Sequence, residues 1–139
     1  MTALGTRSLK LSVGATDYTA QISNCEITAE DADSDFVTFA DAASGGAKVW
    51  KLKGTIVQDL ETTSLWNYVW ASPGSSVAAL IKPHGNATAS TTQPHYSGNV
   101  TVQVPDGTVI GGDADASTTS RFTVDIEWPF DARPTKVMA

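Results

Sequence analysis

The stretch 48–74 constrains the fold most, because its hydrophobic period changes once and abruptly. In Lys48-Val49-Trp50-Lys51-Leu52-Lys53-Gly54-Thr55-Ile56-Val57-Gln58, Trp50, Leu52, Gly54 and Ile56 fall on one face, and Lys51, Lys53 and Thr55 on the other. A period of two predicts a half-buried strand. Past Asp59 the period changes: Leu65, Trp66, Val69 and Trp70 follow the stripe of an amphipathic helix over 62–71. Asp59, Thr62 or Thr63 is placed to cap its start, and Glu61 favours the positive end of its dipole. Ser72-Pro73-Gly74 stops it. So short a helix does not hold alone in water, so it must dock through its tryptophan-bearing stripe. Trp50, Leu52, Ile56, Leu65, Trp66, Val69 and Trp70 are therefore the expected core anchors, each buried aromatic removing ~150–250 Å² from water. The alternative use of that stripe is an exposed aromatic patch for a ligand.

Strands surround this unit. Leu9, Leu11 and Val13 alternate with Ser8, Lys10 and Ser12, and Gly14-Ala15 turns the chain. Over 17–23, Tyr18, Ala20 and Ile22 read as inward, which makes a hairpin. The phase then slips, and Cys25, Ile27 and Ala29 become the apolar set, so a bulge is expected near Ser23-Asn24. After the helix, 76–81 is a nearly continuous apolar run, the pattern of a strand buried on both faces. Val100, Val102 and Val104 alternate in another strand. Phe122, Val124, Ile126 and Trp128 face inward in the last, with Arg121, Thr123, Asp125 and Glu127 opposite. A chain of 139 residues with this pattern is expected to form one mainly β domain over 1–139. Its architecture is a β-sandwich or barrel of six to seven strands flanked by one α-helix.

Two segments stand apart. The connection 30–47 carries Glu30, Asp31, Asp33, Asp35 and Asp41, no basic residue, and Phe36-Val37-Thr38-Phe39. Structureless connections of that length are usually functional or disordered, and disordered tracts are poor in aromatics. Phe36 and Phe39 either tuck under the domain or dock onto a partner. The Asp31-Ala32-Asp33-Ser34-Asp35 spacing fails as an EF-hand, because its sixth position is Phe36 and its twelfth Ala42. The segment 129–139, after Pro129, reads as a C-terminal arm.

Catalytic motifs are lacking. There is no G-x-S-x-G, H-E-x-x-H, P-loop or dinucleotide fingerprint, and His84 and His95 are the only histidines. A metal site would have to rest on one of those two with carboxylates. Cys25 is the lone cysteine, so neither an intrachain disulfide nor a thiolate zinc site has its partners, and it reads as a small buried hydrophobe. The reading is therefore a non-enzymatic protein with no cofactor and no metal. Asp125 and Glu127 share a strand face and are expected to pair with Lys51 and Lys53 across strands. Net charge is -6, which argues against non-specific phosphate binding. No apolar run is long enough for a membrane helix, and the N-terminus shows no signal-peptide pattern, so synthesis in a cytoplasm is expected.

The order of these pieces carries a resemblance. An N-terminal hairpin, an acidic loop with Phe-Val-Thr-Phe, a Trp-x-Leu-x-Gly-Thr strand and a Leu-Trp-Asn-Tyr-Val-Trp helix come first. Val-rich strands and a final Phe-Thr-Val-Asp-Ile-Glu-Trp-Pro strand follow. Across nearly its whole length the chain resembles the major tail tube protein of long-tailed, non-contractile bacteriophages, particularly those of actinobacterial hosts. The resemblance implies a β-sandwich flanked by a helix, also akin to type VI secretion tube proteins. It implies homo-hexameric rings stacked into a tube in the virion tail. The inner sheets of six subunits would join into one barrel, through which genomic DNA passes without specific binding. Tape-measure and tail terminator or tip proteins would be further partners. Under it, 30–47 and 129–139 are inter-subunit segments, with Phe36, Phe39, Asp41, Trp128 and Phe130 as contact candidates; 1–6 would be another. Lys51, Lys53, Asp125 and Glu127 are candidates for the lumen face. Six chains of -6 sum to about -36 per ring, a charge that repels DNA phosphates. The alternatives are a carbohydrate-binding β-sandwich module that stacks sugars on exposed tryptophans, a small β-barrel enzyme using His84 or His95, or the tube protein of a related injection apparatus.

Overall fold

The computed structural model describes residues 3–31, 36–45 and 48–138. The chain is mainly β. In order it forms β1 (Lys10–Val13), β2 (Thr16–Asp17), a 3₁₀ turn (Thr19–Gln21), β3 (Ile22–Asp31) and α1 (Phe39–Ala43). Then follow β4 (Lys48–Val57), α2 (Leu65–Ala71), β5 (Ser76–Lys82), β6 (His95–Thr101), β7 (Thr123–Pro129) and β8 (Thr135–Val137). Two antiparallel sheets result, one ordered β2-β1-β5-β6-β8 and the other β3-β4-β7. Their inner faces build one core. Leu11, Val13, Ile81 and Val100 enter it from the larger sheet, and Leu52, Ile56, Val124, Ile126 and Trp128 from the smaller.

The period-of-two reading of β4 holds: Leu52, Gly54 and Ile56 are buried, and Trp50 packs against the core with part of its surface exposed. β4 is the centre of its sheet, paired to β3 and β7. The expected bulge is present as a register shift between Ile22 and Asn24 against β4. Gly54 pairs with Cys25, just past it. A Cβ there would stand 2.7 Å from the Asn24 carbonyl oxygen, which explains a glycine inside a central strand. The turn between β1 and β2 also has a local cause. Gly14 and Ala15 both have positive φ, at 58° and 71°, the twist of a two-residue hairpin turn.

Elsewhere local hydrogen bonding overrides the hydrophobic pattern. The expected strand over 17–23 is cut short after Asp17, because the Asp17 carboxylate accepts from both the amide and the hydroxyl of Thr19 and winds the chain into the 3₁₀ turn. Tyr18 is buried as expected, whereas Ala20 is exposed. The helix α2 starts later than its pattern indicates, at Leu65. Its cap is Ser64, whose Oγ accepts from the Asn67 amide at 3.1 Å, so none of Asp59, Thr62 and Thr63 serves as the cap. Gln21 accepts from the Leu65 amide at 2.8 Å and ties the helix start to the 3₁₀ turn. A second short helix, α1, escaped the pattern reading. Thr38-x-x-Asp41 forms a reciprocal capping box there.

Leu65, Trp66 and Val69 of α2 are buried, but Trp70 is 60% exposed. The helix is only seven residues long, and Trp70 is its penultimate residue. The Trp66 indole donates to the Val109 carbonyl at 2.9 Å, and the Trp70 ring stacks over it at 5.8 Å with a 12° interplanar angle. Phe122 is likewise not inward: it is 48% exposed, precedes β7, and covers Gly112 of the adjacent loop. Strand β5 is buried on one face, through Ala79 and Ile81, while Ala78 is exposed. Val104, past the end of β6, is also exposed.

The segment after Pro129 is no free arm. The Phe130 amide donates to the Trp50 carbonyl at 2.8 Å, and β8 pairs with β6 as the edge of the larger sheet. Phe130 is buried against Gly98, where a Cβ would approach its ring to 2.9 Å. Trp128 is fully buried, with its indole donating to the Gln103 carbonyl at 3.2 Å. As contact candidates, Trp128 and Phe130 are corrected, because both are committed to this chain's own core.

Candidate assembly face

The outer face of the three-stranded sheet gathers the charged candidates. Because β4 buries its even-numbered residues, Lys51, Lys53 and Thr55 point away from the core. Across the ladder, Lys53 stands between Glu26 of β3 and Glu127 of β7, and Thr55 between Asn24 and Asp125. All four lumen-face candidates, Lys51, Lys53, Asp125 and Glu127, therefore share one face. The expected cross-strand pairing is realised for Lys51, whose ammonium lies 2.7 Å from Glu127 and 3.4 Å from Glu30. Lys53 instead approaches Glu30, at 3.5 Å, and Asp125 accepts from the Thr55 hydroxyl at 2.8 Å.

Glu30 belongs to β3 rather than to the acidic loop. Its place in β3 was signalled by alternation continuing through Thr28 and Ala29, and the strand runs on to Asp31. Asp31 there pairs with Lys48 at the end of the ladder. With Glu26, Glu30, Asp125 and Glu127 set against Lys51 and Lys53, the face carries four carboxylates and two ammonium groups. The Lys51 hydrogen bond holds the Glu127 carboxyl below its ordinary range, and Glu127 in turn raises Lys51 above its own. Asp31 is held low by its hydrogen bond from Lys48. A polar groove runs along this face, between Lys53, Asp125 and Glu127 on one side and the segment 103–106 on the other.

The edges of this sheet are its second property. Among the described residues, β3 and β7 each pair only with β4. At ~3.3 Å per residue the ten residues of β3 give an edge of roughly 33 Å. In the larger sheet the edge strands are β2 and β8, of two and three residues. Short edges are one device against unwanted pairing, and a long edge is a template for another strand.

The remaining candidates lie apart from this face. Phe36 and Phe39 are 78% and 96% exposed, so neither tucks under the domain. Asp41 caps α1. Asp33 and Asp35 of the failed calcium spacing, together with 46–47, lie outside the described residues. His95 is buried with Nε2 3.0 Å from the Asn86 carbonyl, while both ring nitrogens of His84 are enclosed without a hydrogen-bond partner among the described residues. No group of three metal-ligating side chains occurs among the described residues.

The chain matches no protein-family model, and no curated protein shows significant similarity to it.

Proposed function

We propose that this chain is a structural subunit that closes into homo-oligomeric rings and stacks them into a tube, as a phage tail tube protein does. The observation that carries the reading is the three-stranded sheet: a net-acidic outer face, apolar only at Val49, Val57 and Pro129, bounded by edge strands β3 and β7 that pair with β4 alone among the described residues. Ring closure pairs those edges between neighbours, and a closed barrel has no edge left. The outer faces then line a wide wet lumen. Their carboxylates outnumber their ammonium groups and repel a nucleic-acid backbone, with a reach of about 10 Å at 0.1 M salt. DNA therefore passes without adhering. In this reading the protein resides in a virion tail, six copies form each ring, and tape-measure and terminator or tip proteins meet the tube. Negative-stain microscopy of concentrated protein, with sedimentation across concentration and salt, tests it. Rings or tubes are the expected outcome; a monomer under every condition overturns it.

A second reading rests on Trp70. Its exposed ring, backed by Trp66, offers the flat apolar platform on which a sugar ring stacks. Soluble glycans would then quench tryptophan fluorescence in the native chain and not in Trp70→Ala.

A further inference from the structure

The β3-β4-β7 sheet is narrower than the sheet it packs on, and a groove of about 730 Å³ opens between the two. Cys25 and Ile27 of β3 and Trp50 of β4 line one side of it, and Leu9, Ile81 and Tyr96 the other. Leu9, Cys25, Ile27 and Trp50 pack against the core yet keep part of their surface in solvent. Small-molecule sites are mostly apolar clefts of about 300–1,000 Å³ with a few polar groups that fix orientation.

Two cations stand over this apolar lining. Lys136 pairs with Tyr96 across the β6–β8 ladder, Tyr96 with Ile81, and Ile81 with Leu11. Residues paired in this way share one face of a sheet. Leu11 and Ile81 are buried, so Lys136 stands on the inward face of the larger sheet. Such a position is ordinarily apolar in a sandwich. The Arg133 guanidinium lies 5.6 Å from the ring centroid of Trp50 on the facing wall. Both cations are exposed, and neither forms an ion pair among the described residues. Glu26, the one carboxylate residue of the lining among the described residues, alternates with Cys25 and Ile27 and so turns with Lys53 to the opposite face of its sheet. A chain of net charge -6 therefore brings two unpaired cations to the mouth of an apolar groove.

We infer that this groove binds an amphiphilic monoanion, with its aliphatic chain between the two sheets and its carboxylate head at Arg133 and Lys136. The walls supply affinity by taking apolar surface out of water, and the cations decide which end of the ligand faces out. The occupant is a single free molecule rather than a bilayer, because the lining comes from two facing walls.

Titration calorimetry of the native chain with dodecanoate, below its micelle concentration, tests this. The expected result is saturable uptake of one molecule per chain. Arg133→Gln with Lys136→Gln should weaken it about tenfold, as should replacing the ligand by dodecyltrimethylammonium, which has the same tail and the opposite charge. Leu9→Trp, at a partly exposed wall position, fills the groove and should abolish uptake with the circular dichroism unchanged. Cys25 locates the ligand without any variant: saturating dodecanoate should slow its reaction with a disulfide reagent about tenfold, since that rate depends on access. Unsaturable uptake, equal binding of the two amphiphiles, undiminished binding by Leu9→Trp or an unchanged Cys25 rate overturns the proposal. So does adsorption to phosphatidylglycerol vesicles without uptake of free dodecanoate, which assigns the groove to a membrane surface. Self-association that is lost in Leu9→Trp, again without uptake, assigns it to a second copy and overturns the proposal as well. Ring assembly does not need this ligand, so microscopy and titration succeed or fail independently.

Discussion

Lys51 bridges two strands that flank its own, reaching Glu127 of β7 at 2.7 Å and Glu30 of β3 at 3.4 Å. The folded chain holds Glu127 below its ordinary carboxylate range, so its contribution is present above that range and lost as pH falls through the lowered value. Lys51 is raised, so its contribution is present at and below its ordinary value and lost as pH rises through the raised one. The pair therefore stabilises across neutral pH and fails at both extremes. Melting temperatures of the native chain and Glu127→Gln should differ at pH 7 and converge in acid. Because both side chains are partly exposed, the difference should be small and should shrink in high salt.

The two stacked tryptophans of α2 should behave very differently. Trp66 is 7% exposed, so Trp66→Ala leaves a cavity costing about 3–5 kcal/mol. Trp70 is 60% exposed and forfeits mainly its ring stacking, about 0.5–1.5 kcal/mol. Urea denaturation of both variants checks the order. A Trp70→Ala loss as large as that of Trp66→Ala would place Trp70 in the core after all.

Gly54 is the steric partner of the bulge in β3. Gly54→Ala places a methyl 2.7 Å from the Asn24 carbonyl oxygen, a backbone atom that moves only with its strand. The expected cost is about 1–3 kcal/mol, as for overpacking a core. Amide hydrogen exchange should show the loss of protection centred on the β3–β4 ladder. Uniform destabilisation without that local signature would argue against the bulge as the cause.

Cys25 should be chemically quiet in the folded chain. Burial, reinforced by the charge of Glu26, pushes its thiol up to about 11. Since the thiolate is the reactive form, iodoacetamide at pH 8 should react about 100-fold more slowly than with the urea-unfolded chain. Equal rates in the two states would show the thiol to be open to solvent.

The charged face was legible because a period of two needs no partner to be read. Lys51, Lys53, Asp125 and Glu127 were placed on strand faces by alternation alone, and the bulge by one phase slip. Glu30 was missed because strand ends depend on whether a ladder continues, and that is decided by β4.

Taken alone, the sequence determined which residues of each strand share a face, where β4 gives way to a helix, and that the chain is mainly β, since these follow from side-chain direction along a regular backbone. Tertiary structure decided everything that depends on what lies opposite. Trp70 and Trp66 have the same periodicity, yet only Trp66 has a layer to pack beneath, because α2 ends where the core does. Phe130 and Trp128 have the look of contact residues in a tail segment, yet the small space over Gly98 and the Gln103 carbonyl draw them inward. A periodicity records which way a side chain points; whether anything stands there to receive it is a property of the assembled layers.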